Sequence, residues 1–195
     1  MLTPANITGI VLAGGKSTRM GTDKAFLELN GKPFIAHILE TVQRCTEGVF
    51  IVSTNQKLDE LGVTRFPDSV LGLGPVGGIY TGLLHSKTEF NLVVACDTPF
   101  LNQDTIHCLI EGIGEEHDAF IVQCEGVQMP LIGIYRKSSH PFFTQAIDEK
   151  RLGLQKLLAK LQTKIIELPK SHAKFVMNIN TPSDLNAIED LDGQS

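Results

Sequence analysis

Apolar residues in this chain fall into short unbroken runs separated by stretches of helical spacing. The first run, Ile7 to Ala13, is interrupted only by Thr8 and Gly9 and ends at Gly14-Gly15. An unalternating run closed by glycines predicts a strand buried on both faces that ends in a loop. Val49 to Val52, Leu92 to Cys96, Ala119 to Cys124 and Pro130 to Tyr135 read the same way, and Lys164 to Leu168 and Phe175 to Ile179 complete the predicted strands. Between them, Pro33 to Arg44 carries Phe34, Ile35, Ile38, Leu39 and Val42 at helical spacing, with Pro33 in the tolerant first turn. Leu58 and Leu61 predict a short helix, and Val76 to Leu84 a longer one. Asn102 caps a helix bearing Ile106, Leu109, Ile110 and Ile113. Phe142 to Ile147 and Leu152 to Leu161 are predicted helical, and Thr181-Pro182-Ser183-Asp184 opens a last helix. Strand and helix alternate, which predicts an open α/β sheet, mainly parallel, with helices on both faces. Ligands of such sheets bind beyond the carboxyl ends of the strands. The loops after Ala13, Val52 and Cys96 are expected to meet there.

The length, 195 residues, suits one domain with a sizeable core. A net charge of −5 argues against a dedicated nucleic-acid binder. No apolar run approaches the roughly 18 residues of a membrane span, and the N-terminus lacks the pattern of a signal peptide. Cys45, Cys96, Cys108 and Cys124 form no C-x-x-C pair and have no zinc spacing, which points to free thiols in a reducing cytoplasm. The six histidines are scattered without metal-binding spacing.

The densest chemistry follows the first strand: Leu12-Ala13-Gly14-Gly15-Lys16-Ser17-Thr18-Arg19-Met20-Gly21-Thr22-Asp23-Lys24. Glycines let backbone N–H groups turn toward an anion, and Lys16, Arg19 and Lys24 supply cations; a phosphate chain needs both. Gly15-Lys16-Ser17 is not the P-loop of ATPases. That motif needs glycine at the position held by Ile10, and Gly9 is one residue too early. Gly72-Leu73-Gly74-Pro75-Val76-Gly77 fits G-x-G-x-x-G literally, but no strand leads directly into it, so it reads as a loop entering a helix.

Asp97 follows the Leu92–Cys96 run directly and therefore sits at a strand's carboxyl end. Facing a cationic phosphate loop, it is a candidate Mg²⁺ ligand, because magnesium takes one or two carboxylates plus phosphate oxygens and water. Asp68 is a second loop acid able to meet nucleotide or metal. Asn178 and Asn180 alternate around Ile179 and, as strand residues, share a face. Their amides can ligate a metal or bind a phosphate.

Four stretches, in order and spanning most of the chain, resemble the molybdenum cofactor guanylyltransferases of the nucleotidyltransferase superfamily. They are Leu12-Ala13-Gly14-Gly15-x-Ser17-x-Arg19-Met20-Gly21-x-Asp23-Lys24, Gly74-Pro75 with Gly77-Gly78, Cys96-Asp97-Thr98-Pro99-Phe100, and Asn178-Ile179-Asn180-Thr181-Pro182. The first alone marks the wider superfamily, with its sugar-phosphate and cytidylyl enzymes; the set of four is much more specific. The resemblance implies a Rossmann-like three-layer nucleotidyltransferase fold in a single domain, 1–195. It implies Mg²⁺-dependent transfer of GMP from GTP to the terminal phosphate of Mo-molybdopterin, giving molybdopterin guanine dinucleotide and pyrophosphate. By position, Leu12, Ala13 and Gly14 would meet the nucleotide through backbone groups. Gly15 and Arg19 would shape the phosphate path, Lys24 would contact GTP, Asp68 would lie near ribose or base, and Asp97 would hold Mg²⁺. Arg19, Lys24 and Asp97 are the implied catalytic set. Asn178 and Asn180 match a pair linked to pterin or metal. Where the family often has asparagine after the second strand, this chain has Ser53, with Asn55 two residues later, so either is a candidate for that nucleotide contact. Gln128-Met129-Pro130-Leu131 resembles the family's Pro-Leu strand, with Met129 near a frequent Gln or His. Gly14-Gly15 resembles the guanylyl branch, since the cytidylyl branch more often has alanine at the first position. Proteins that deliver and receive the pterin are implied as partners. The acceptor's phosphate monoester, with a second pKa of about 6, is largely dianionic near neutral pH and needs no general base. Rival readings are a sister enzyme using CTP with molybdopterin or another nucleotide with a sugar or alcohol phosphate, a non-catalytic nucleotide-binding regulator and a purely structural α/β interaction domain.

Overall fold

A strand that is apolar at every position needs cover on both faces, and the computed structural model supplies it. It describes residues 6–14, 24–69, 72–180 and 184. Gly15, Lys16 and Arg19 of the glycine loop lie outside the described residues, as does the helix expected from Thr181, apart from Asp184. The strands are β1 (Ile7–Leu12), β2 (Glu28–Leu29), β3 (Lys32–Pro33), β4 (Gly48–Val52), β5 (Arg65–Phe66), β6 (Phe90–Ala95), β7 (Ala119–Cys124), β8 (Val127–Arg136) and β9 (Thr163–Leu168). The helices are α1 (Phe34–Cys45), α2 (Gly74–His85), α3 (Gln103–Glu111), α4 (His140–Asp148) and α5 (Leu154–Leu158).

The central sheet has seven strands in the order β5-β4-β1-β6-β8-β7-β9, and β2 and β3 form a separate hairpin. Alternation along each strand divides the core in two. Ile7, Val11, Leu92, Val94, Phe120 and Val122 pack with Ile35, Ile38 and Val42 of α1 and Ile106 and Leu109 of α3. The intervening residues Ile10, Leu12, Val93 and Ile121 pack with Val76, Ile79 and Leu83 of α2 and Phe143 of α4. This is the three-layer arrangement expected from the pattern. α1 approaches β1 so closely that a Cβ on Gly9 would stand 2.3 Å from the Val42 side chain.

The parallel expectation holds for β5-β4-β1-β6 and for β7 with β9, but β8 runs antiparallel to both of its neighbours. Glu125 (φ 48°) and Gly126 (φ 78°) make a two-residue turn that sends the chain straight back. β8 carries an irregularity: Ile121 pairs with Gly133 but Val122 with Met129, so the residues around Pro130 have no β7 partner. Proline, lacking an N–H, is tolerated where a ladder is broken. The fully buried Tyr135 hydroxyl donates to the Pro130 carbonyl at 2.7 Å and holds this excursion in place.

Three local expectations change. Pro33 is not inside α1 but is the last residue of β3, with φ −58° and ψ 144°. The predicted Leu152–Leu161 helix is only α5, ended by the Thr163 hydroxyl donating to the Leu158 carbonyl at 2.9 Å. Phe175–Ile179 is not a strand: Lys170–Val176 is a 3-10 helix, followed by extended chain.

Candidate active site

β1 sits between β4 and β6, and the connections lead away from it in opposite directions across the sheet. A crevice opens at such a switch point, beyond the carboxyl ends of the strands. Its floor is tied together by backbone. Ala13 N–H donates to Val52 O and Cys96 N–H to Leu12 O, each at 3.0 Å. Leu12 and Ala13 are buried, and Gly14 is the first exposed residue beyond the strand.

Ser53 faces this floor and not the crevice. It is 1% exposed. Its hydroxyl donates to the Ala13 carbonyl and accepts from Asn55 N–H at 3.1 Å. Its N–H donates to Phe66 O at 3.0 Å, and the Arg65 guanidinium donates to its carbonyl at 2.9 Å. Arg65 is in turn held by both oxygens of Asp59, at 2.7 and 3.0 Å. Of the two residues offered after the second strand, Ser53 is therefore committed to pinning the end of β1. Asn55 is partly exposed, with its side-chain oxygen capping the 3-10 helix Gln56–Leu61.

Asp68 lies over the same floor, since a Cβ on Gly14 would stand 3.7 Å from its Oδ2. Its Oδ1 is buried without a hydrogen-bond partner. Burial pushes this carboxyl above its usual range, and the buried Thr81 hydroxyl draws it partly back. The unfolded chain ionises Asp68 at the ordinary carboxylate pKa, whereas the folded chain does so only at higher pH. The stability present below the ordinary pKa is therefore lost as pH rises through the folded value. Asp68→Asn removes that cost. In ligand-free thermal unfolding, the variant is expected to melt above the parent at neutral pH and level with it below the carboxylate range. A variant that melts lower at neutral pH would overturn this account of the site.

On the other side of β1, Lys24, Asp97 and Asn180 come together from distant parts of the chain. Lys24 begins the short 3-10 helix Lys24–Phe26, anchored by the buried Ala25. The β2–β3 hairpin behind it turns on Asn30 (φ 52°) and Gly31 (φ 73°), and Phe34 N–H returns to Leu27 O at 2.8 Å. The Lys24 ammonium donates to the Asn180 side-chain oxygen. It also attracts the Asp97 carboxylate. Burial dominates at Asp97 and holds its carboxyl above the usual range, with Lys24 opposing that shift. Asp97 O accepts from Ile179 N–H at 2.7 Å, which lays the 177–180 strap along the Asp97 loop. Asn178 and Asn180 are exposed and Ile179 is buried, so the two amides share a side although no strand forms.

A third hydrophobic cluster joins these segments. Leu29, Phe34 and Ile179 form its buried centre, with Leu27, Phe100 and Met177 packed against it. Fully burying an isoleucine such as Ile179 contributes about 1.5–3 kcal/mol. That anchors hairpin, Asp97 loop and strap to one another.

Asp97 Oδ1 is buried and has no hydrogen-bond partner. A buried, uncompensated carboxylate oxygen beside a lysine fits a divalent cation that takes one protein carboxylate and completes its shell with phosphate and water. Among the described residues, no group of three or more His, Cys, Asp or Glu side chains converges to build a cation site from protein alone. Three contributors here fall in none of the motifs: Thr81, Arg65 and the Asn30-Gly31 turn. Asn-Gly between short apolar segments is a strong hairpin signal and was available. Thr81 carries a weaker signal, as a polar residue in an apolar helix.

A lysine and a metal-ready carboxylate side by side at the mouth of the sheet suit a phosphate-bearing substrate. The profile of the MobA-like NTP transferase domain matches residues 9–165, and the chain belongs to that family. A Flavobacterium johnsoniae protein named probable molybdenum cofactor guanylyltransferase is 38% identical over 92% of this chain and 95% of its own. The Vibrio parahaemolyticus molybdenum cofactor guanylyltransferase is 31% identical over 95% and 96%. The crystal structure of molybdopterin-guanine dinucleotide biosynthesis protein A from Archaeoglobus fulgidus superposes with a TM-score of 0.80 at 26% identity, over 96% of this chain and all of that one. A CTP complex of CMP:2-keto-3-deoxy-manno-octonic acid synthetase, 14% identical, shares the fold with a TM-score of 0.74 over 97% and 99%.

Proposed function

We propose that this enzyme transfers GMP from GTP to the terminal phosphate of Mo-molybdopterin, releasing pyrophosphate. The convergence of Lys24, Asp97 and Asn180 at the end of β1, across from Gly14 and Asp68, carries the reading. The names of the relatives supply the guanylyl donor and the pterin acceptor.

An oxygen of the acceptor's phosphate dianion attacks the α-phosphorus of GTP. The new P–O bond forms as the α–β bridge breaks, and the electron pair leaves on pyrophosphate. No proton has to be removed from the nucleophile, so the chain's task is placement and charge. Gly14, with Gly15 and Arg19 beyond it, receives the phosphate chain over a floor of Leu12 and Ala13. Lys24 neutralises charge on the transferring group. Asp68 and Asn55 orient the nucleoside, and Ser53 keeps the floor level. Asn178 and Asn180 hold the acceptor end. Asp97 would hold Mg²⁺, which when bound adds positive charge against the phosphate oxygens.

The seven-stranded central sheet runs unbroken through the described chain, and we take 1–195 to act as a single nucleotidyltransferase domain. Its cysteines are free, which favours a reducing compartment, and we place it in the cytoplasm. Among the described residues, no helix is long and apolar enough to cross a membrane. Protein partners that hand over and accept the pterin belong to the same proposal.

Titration calorimetry with GTP, CTP, ATP and UTP, with and without Mg²⁺, followed by pyrophosphate release with Mo-molybdopterin, tests the reading. Selective binding of GTP and pterin-dependent pyrophosphate release are expected. Preference for CTP moves the enzyme to the cytidylyl branch, and turnover with a sugar phosphate but not the pterin overturns the acceptor.

A further inference from the structure

His172 lies in none of the motifs, yet it stands where the 3-10 helix Lys170–Val176 meets the start of α3. Its Nδ1 is 3.0 Å from Thr105 Oγ1. Thr105 is fully buried and is held by the α3 cap. Asn102 Oδ1 accepts from Thr105 N–H at 3.0 Å and from the Thr105 hydroxyl at 2.7 Å. The first of these bonds fixes which way the Asn102 amide points. The second uses the only proton that the threonine hydroxyl has. Thr105 Oγ1 is therefore an acceptor toward the imidazole, and His172 carries its proton on Nδ1 and donates it. One hydrogen bond thus joins the segment before the strap to the cap of the helix that follows the Asp97 loop. Downstream of it, Ile179 N–H reaches Asp97 O at 2.7 Å and Asn180 meets Lys24.

We propose that His172 is a positioning residue for the acceptor substrate: through Thr105 and Asn102 it registers the 177–180 strap against the Asp97 loop, so that Asn178 and Asn180 are presented at the site. Among the described residues the strap has no ladder partner to set its register, since Lys170–Val176 leaves the sheet and β9 pairs there with β7 alone. Among the described residues, the strap is held by Ile179 N–H on Asp97 O and by Lys24 on Asn180, with His172–Thr105 holding the helix just upstream. Ile179 ties the middle of the strap to the Asp97 loop through its N–H on Asp97 O at 2.7 Å, and His172 fixes the chain that leads into it. The substrate side of this inference rests on the proposed function; the positioning side does not.

The side chains of asparagine and glutamine separate a role at Nδ1 from a role at Nε2. Asparagine places its amide nitrogen near the Nδ1 position, glutamine near Nε2. Four variants, His172→Ala, His172→Asn, His172→Gln and Thr105→Val, are compared by amide exchange at Ile179 without substrate and by steady-state kinetics. His172→Ala and Thr105→Val are expected to speed exchange at Ile179. They should raise KM for the pterin acceptor about 10-fold while KM for GTP moves less than about 3-fold, a displacement smaller than the 1 Å misplacement that costs about 100-fold. His172→Asn restores both readouts and His172→Gln neither. Rescue by Gln but not Asn overturns the proposal in favour of a contact through Nε2. Parent-like behaviour of all four variants, or an equal rise in both KM values, also overturns it. If the parent protein fails to transfer to the pterin at all, the proposed function falls, and Ile179 exchange in the same variants still decides the positioning role.

Discussion

Asp97→Ala is expected to lower turnover by at least about 100-fold, the scale of losing one charge-stabilising group in a water-poor site. The fold should remain. Asp97 is on the loop after β6, and its backbone carbonyl, not its carboxylate, accepts from Ile179. Its Oδ1 is buried without a hydrogen-bond partner, and burial, the largest influence on it, works against its ionised form. A buried carboxylate held above its usual range next to a lysine is the pattern of a functional site, which is why the proposed function gives Asp97 the metal. Asp97→Asn sharpens the test because it preserves shape and removes charge. It should be as inactive as the alanine variant, with GTP affinity measured without Mg²⁺ close to that of the parent. The decisive comparison is GTP titration with and without Mg²⁺. The parent should gain affinity from the metal, and both variants should lose that gain. Normal turnover of either variant at saturating Mg²⁺ would falsify the metal assignment.

The sequence revealed the part of this site that lies within single segments and concealed the part assembled between them. β1 with Gly14, and β6 with Asp97, were readable because a buried strand has an unalternating pattern and its end marks a position in space. The β8 reversal was harder to see. Its apolar run looks like that of a parallel strand, and only the left-handed Glu125-Gly126 pair distinguishes a hairpin from a crossover. Leu29, Phe34, Phe100 and Ile179 gave no signal of the cluster they build, since they are scattered through the chain and each is unremarkable locally. The expected strand at Phe175–Ile179 does not form. Phe175 and Val176 instead close the 3-10 helix Lys170–Val176, docked on α3 through His172. The pairing of Asn178 with Asn180 survived that error, since any extended backbone alternates its side chains.

Lys24→Ala should weaken both GTP binding, about 10-fold, and turnover, about 100-fold, because a cation on a transferring phosphate acts in the ground state and more strongly in the transition state. This double effect separates it from Asp97, whose loss should fall on turnover and on metal-dependent affinity. Lys24 has two further attachments that make the variant more than a charge deletion. Its ammonium donates to Asn180, so its removal loosens the strap at the end opposite His172. It also favours ionised Asp97, so its removal leaves burial unopposed there and raises the Asp97 carboxyl further. The variant should therefore have the acidic limb of its rate profile displaced to higher pH. Raising the pH recovers the share lost through protonated Asp97 and leaves the direct share missing. Lys24→Arg should keep the charge and much of the GTP affinity but not the full rate, because a planar fork does not reproduce a compact ammonium between a phosphate and an amide oxygen. Calorimetry with GTP, together with single-turnover rates across pH, reads all of these at once. Unchanged affinity and rate in Lys24→Ala would remove this lysine from the site.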